Sequence, residues 1–176
     1  MSRKTLPALL VCGLLILLSQ PKSAVAANPR VANTASLAGS WELTFTPGPG
    51  TTAASVPGLA TFTTDGSLIE TDGSELAPSM PSAGGSPTYG SPGHGVWQTL
   101  PSLTGFYLSY TSVNVNSDGS LNSKSLTVAT VTVSTSSTGN TFNGEYSTTT
   151  TSAGNTAPIT TSGKISGQLI LHPALP

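Results

Sequence analysis

In a series of runs between Trp41 and residue 171 apolar side chains alternate with polar ones, and no stretch past residue 26 repeats them at the three-and-four spacing of a helix. Trp41, Leu43 and Phe45 alternate with Glu42, Thr44 and Thr46, which reads as a strand with one buried face. The same pattern predicts strands over 57–64, 67–71, 95–100, 106–115, 125–135, 141–150 and 163–171, about eight in all. β-Branched and aromatic residues fall inside these runs, and Gly, Pro, Asn and Asp fall between them. Such strands must hide their apolar faces. Eight of them, joined in order by short turns such as Asp65-Gly66 and Asn116–Gly119, predict an all-β, antiparallel up-and-down barrel without free edges. A two-sheet sandwich is the alternative. It needs long crossing connections, and only the segment 72–95, read as one long loop, is long enough to be one.

The N-terminus reads as a secretory signal peptide. Arg3 and Lys4 precede the apolar run 6–18, and Ala24-Val25-Ala26 offers a cleavage signal before Ala27. The expected organisation is signal peptide 1–26, a flexible leader 27–36 and one barrel domain 37–172, exported to the periplasm or beyond the cell. Cleavage would remove the single cysteine, Cys12, and with it any thiol chemistry or disulfide. Three basic residues, Arg30, Lys124 and Lys164, then face seven acids, a formal charge of −4. That is the reverse of a nucleic-acid surface. No second apolar run is long enough to span a bilayer as a helix, and a monomer is expected.

Four pieces stand in order along the chain: Gly39-Ser40-Trp41, Thr61–Gly66, Gly93-His94-Gly95-Val96-Trp97 and Ser162–Gly167. In that order the chain resembles the lipocalin-like, calycin-type barrels found among small exported bacterial proteins of unassigned activity. The resemblance implies an up-and-down barrel and says little about chemistry. In lipocalins an arginine near the end of the last strand stacks on the first-strand tryptophan; here the nearest basic residue is Lys164, and the later position holds Gln168.

Candidate site residues centre on Tyr89–Trp97, where Gly90, Pro92, Gly93 and Gly95 surround His94. A lone histidine is a poor metal site, and no metal or cofactor is expected. Its plain reading is a structural turn residue; a polar contact at a barrel mouth is the functional one. Trp41, Phe45, Phe62, Phe106, Tyr110, Phe142 and Tyr146 fall on the expected inner faces, and Ala60, Gly144 and Gly167 leave room among them. Packing explains most of these aromatics. An eight-stranded barrel is either filled by side chains or holds one small ligand. The functional expectation is non-catalytic binding of a small, partly apolar molecule by His94, Trp97, Tyr110, Trp41, Phe106 and Tyr146. A structural or surface-interaction module with a filled interior is the alternative, and a cyclase- or isomerase-like barrel enzyme the third. No nucleophile elbow and no paired-carboxylate motif occurs, so no catalytic residue is assigned. Glu42 and Glu70 are expected to face solvent, as are the threonines of 148–151.

Overall fold

Alternation turns into a closed wall. Among the described residues, nine strands and one helical turn follow in order: β1 (Gly39–Pro47), β2 (Val56–Phe62), β3 (Ser67–Asp72), α1 (Gly73–Leu76), β4 (Thr88–Gly90), β5 (Gly93–Thr99), β6 (Gly105–Asn116), β7 (Leu121–Ser136), β8 (Gly139–Ser152) and β9 (Ile159–Leu169). The computed structural model describes residues 36–50, 52–76, 87–101, 104–137, 139–154 and 157–171, all within the unit Ala32–Pro176. The signal-peptide region 1–26 and the leader up to residue 35 lie outside the described residues.

Every strand pairs antiparallel with its neighbours, and β1 also pairs with β9, Trp41 opposite Leu169 and Phe45 opposite Ile165. β6 and β7 complete the ring. The result is an eight-stranded antiparallel closed barrel, and the sandwich is excluded. Nine strands fill eight places because β4 and β5 share one. Both pair with β6, β4 through Thr88–Gly90 against Asn116–Asn114 and β5 through His94–Thr99 against Thr111–Phe106. Pro92 lies at the break and has no amide hydrogen to give the ladder. Ser91 bridges the gap: its amide donates to the Val113 carbonyl at 2.9 Å, and its Oγ accepts from the Val113 amide at 3.0 Å. The segment 72–95, read from sequence as loop, thus carries α1, β4 and the start of β5. The three-residue β4 is too short to show a period and is recruited by its partner strand.

The turns form as their residues require. Gly66 (φ +93°) and Gly119 (φ +82°) occupy the left-handed region. Asp65 and Asp118 accept the amides of Ser67 and Ser120 at 3.0 and 2.9 Å. These bonds, led by those from the Thr63 and Ser120 hydroxyls, hold both carboxyls below the usual range.

One end of the interior is packed solid. It holds Trp41, Phe62, Leu68, Phe106, Leu108, Val131, Val133 and Phe142, all buried. Trp41 meets Phe142 at 5.0 Å between ring centroids, and Phe62 and Trp97 are edge-on at 6.5 Å. The two indoles are polar-satisfied: Trp41 Nε1 donates to the Leu37 carbonyl at 2.8 Å and Trp97 Nε1 to the Thr63 carbonyl at 2.9 Å. The aromatic on Trp41 is therefore Phe142, where a lipocalin would be expected to place an arginine; Gln168 is exposed.

Tight coiling at this radius brings backbones together. A Cβ on Gly144 would stand 2.1 Å from the Thr130 carbonyl oxygen. Gly144→Ala is expected to cost about 1–3 kcal/mol, the usual penalty of overpacking, read as a lower urea midpoint; an unchanged midpoint would show that β7 and β8 can separate freely there.

Candidate functional site

The inward rows change character along the strands. On β6 the row runs Phe106, Leu108, Tyr110, Ser112, Asn114; on β7 it runs Val133, Val131, Ala129, Thr127, Ser125; on β8 it runs Phe142, Gly144, Tyr146, Thr148. Hydrocarbon gives way to hydroxyl and amide in adjacent strands at the same level. Above the packed half lies a cavity of about 220 Å³. Its wall includes Phe45 and Val56, Glu70 and Asp72 of β3, Glu75 of α1, Tyr110, Asn114, Thr127, Tyr146, Thr148 and Thr161.

Part of that wall is internally bonded. Thr127 Oγ1 and Thr148 Oγ1 lie 2.8 Å apart, and Ser125 Oγ and Thr150 Oγ1 lie 2.9 Å apart. Asn114 Nδ2 donates to Ser123 Oγ at 3.1 Å. Phe45 and Tyr146 stand edge-to-face at 5.4 Å. Thr148 is thus a cavity residue, which corrects its reading as a solvent-facing threonine: it shares the parity of Phe142 and Tyr146.

Glu70 is the larger correction. It is not on the outside but is buried, with 4% of its surface exposed. Its strand partners are Ala60 on β2 and Gly93 on β5, and glycines make its room: a Cβ on Gly93 would lie 3.1 Å from Glu70 Oε2, and one on Gly58 would lie 3.3 Å from Oε1. Oε1 is buried and has no hydrogen-bond partner. Burial pushes the carboxyl up to about 8, with Asp72 and Glu75 adding repulsion. Glu75 is raised by the same two causes, burial and Asp72, against an Asp72 backbone hydrogen bond and the attraction of His94. Tyr110 is held well above the usual phenol range, first by burial and then by Glu70, while a hydrogen bond with Thr127 opposes the shift. Burial also raises Tyr146.

No family model matches this sequence, and neither a curated protein nor a solved structure matches it. The barrel is established by its closed ladder; the lipocalin family is not.

Of the six sequence candidates, the structure brings Tyr110 and Tyr146 to the cavity. Trp41 and Phe106 lie in the packed half, fully buried, and Trp97 packs against it. His94 is exposed on β5, opposite Ile69 and Thr111, on the outer parity between Gly93 and Gly95. His94→Ala should therefore move stability by no more than about 0.5 kcal/mol; a large fall in melting temperature would mean the imidazole is a packing element. Sequence reasoning missed Glu70, Asp72, Glu75, Asn114 and Thr127. Parity gives the signal for three of them: Glu70 lies two residues from the inward Leu68, Thr127 two from Ala129, and Asn114 four from Tyr110.

Among the described residues no three His, Cys, Asp or Glu side chains gather into a group that could hold a metal ion. No helix among them is long and apolar enough to cross a membrane.

Proposed function

We propose that this chain is an exported, lipocalin-like barrel that binds a small molecule without catalysis, in the cavity above its packed half. One observation carries the reading: the interior is not filled. A barrel built only for support gains by continuing the apolar rows to both ends. Here the rows switch to hydroxyl, amide and carboxyl around about 220 Å³ of space. Pockets for drug-sized ligands run to about 300–1,000 Å³, so the ligand is smaller than those. The aromatic edges of Phe45 and Tyr146 would take its apolar part and the polar wall would orient it. Export is supported by the Ala24-Val25-Ala26 site, and N-terminal sequencing of the exported form should begin at Ala27.

Native mass spectrometry of protein purified from its own host tests the binding. The expected result is a retained small molecule, lost from a Thr148→Phe variant whose ring occupies the cavity. If the wild type carries nothing and Thr148→Phe melts higher, the space is a packing defect and the protein is a structural module.

A further inference from the structure

The acids of the cavity wall specify what sort of molecule would complete it. Glu70 is more than nine-tenths buried and is among the residues that line the cavity, and its Oε1 is buried without a hydrogen-bond partner. Asp72 follows two residues later and Glu75 caps the same wall from α1. The other titratable groups on the wall are Tyr110 and Tyr146. The strands flanking Glu70 bring Ala60, Gly58 and Gly93 toward it and nothing that titrates. Among the described residues the basic groups, His94, Lys124 and Lys164, are all exposed. A buried acceptor without a donor is costly, more so beside charges of its own sign. A neutral donor would satisfy Oε1 but leave Asp72 and Glu75 opposing the ionisation of Glu70. A cation relieves both, and Phe45, Tyr110 and Tyr146 line the same cavity. Metal-ion geometry is not offered by these acids.

We propose that the ligand is a small organic cation, an ammonium whose N–H groups are received by Glu70 at the cavity wall; this rests on the binding reading above. Glu70 is mostly protonated at neutral pH, with its carboxyl raised to about 8. Binding then breaks the Glu70 O–H bond: the proton leaves to solvent, the electron pair stays on the carboxylate, and the ammonium keeps its own protons. Affinity must rise with pH until Glu70 ionises unaided.

Calorimetric titration of the full barrel with 2-phenylethylammonium, against 2-phenylethanol as its neutral counterpart, tests this. The ammonium stays protonated over the range used, as a lysine side chain does. At pH 8.5, where most of Glu70 ionises unaided, it should bind at least about tenfold more tightly than the alcohol, the worth of one charge-assisted hydrogen bond. Its affinity should rise about eightfold from pH 6.5 to 7.5, the change in the ionised fraction of a group at about 8. Repeating pH 6.5 in buffers of different ionisation enthalpy should show about one proton released per ligand, which needs no variant. Glu70→Gln should abolish the proton release and reduce the preference for the ammonium, since Asp72 and Glu75 stay on the wall. If the alcohol binds as well as the ammonium at pH 8.5, or no proton is released at pH 6.5, the cation assignment is overturned while the binding barrel stands. If neither probe binds, the cation assignment falls, and the binding reading falls with it when native mass spectrometry also finds no retained molecule.

Discussion

Glu70→Gln is expected to make the protein more stable at pH 8.5 by on the order of 4 kcal/mol, and to change it little at pH 4. The carboxyl is raised from 4.5 to about 8 in the folded barrel by burial, then by Asp72 and Glu75. Between those two values the native state keeps a proton that the unfolded chain has released. Stability from this group is therefore complete below the unfolded value and is lost as pH rises through the folded one. Glutamine keeps the shape, removes the titration and should flatten the curve. Asp65 and Asp118, held low by hydroxyl and amide donors in exposed turns, act with the opposite sign at more acid pH. Urea midpoints of both proteins across pH 4–8.5 measure the difference. Parallel curves would mean that Glu70 reaches water in solution.

Trp41→Ala should cost about 3–5 kcal/mol, the usual toll for deleting a buried aromatic, out of the roughly 5–15 kcal/mol that holds a domain together. The indole is fully buried, stacks obliquely on Phe142 and donates to the Leu37 carbonyl. Its loss empties the packed half and strands that carbonyl. Trp41→Phe, which keeps the ring but not the N–H, should fall between. If alanine leaves the urea midpoint where it was, the β1–β9 register is not the one described.

The fold was readable because alternation and turns agree. Trp41–Thr46 shows one buried face, and Asp65-Gly66 and Asn116–Gly119 supply the backbone angles that reverse the chain. Parity also put Glu70 on the face of Leu68 and His94 on the face opposite Trp97. Residue type argued the other way in both cases, since a carboxyl is usually outside and a histidine among glycines invites attention. Parity prevailed because a strand cannot rotate one side chain without its neighbours. The cavity itself was beyond the sequence. It exists where the polar ends of β6, β7 and β8 reach the same level as Glu70 on β3, and that level is set by registers such as Thr127 opposite Thr148 and Glu70 opposite Gly93. The 88–90 strand was hidden for the same reason: its order comes from Asn114–Asn116 across the ladder.

The seam between β1 and β9 has a mechanical consequence. It is the pairing that joins the first strand of the barrel to the last, and it brings Gly39 and Leu169 to the same end, with the Ile170 amide bonded to the Ser40 carbonyl at 2.8 Å. A force drawing those two ends apart acts across the hydrogen bonds, so they are loaded one after another from Ser40 inward. Bonds loaded in series part singly, like the teeth of a zipper, where a sheared pair would have to break them together. A barrel that resists heat through its packed half should thus open at this seam, parting the strand of Trp41 from that of Leu169, under a smaller pull than a sheared pair would bear.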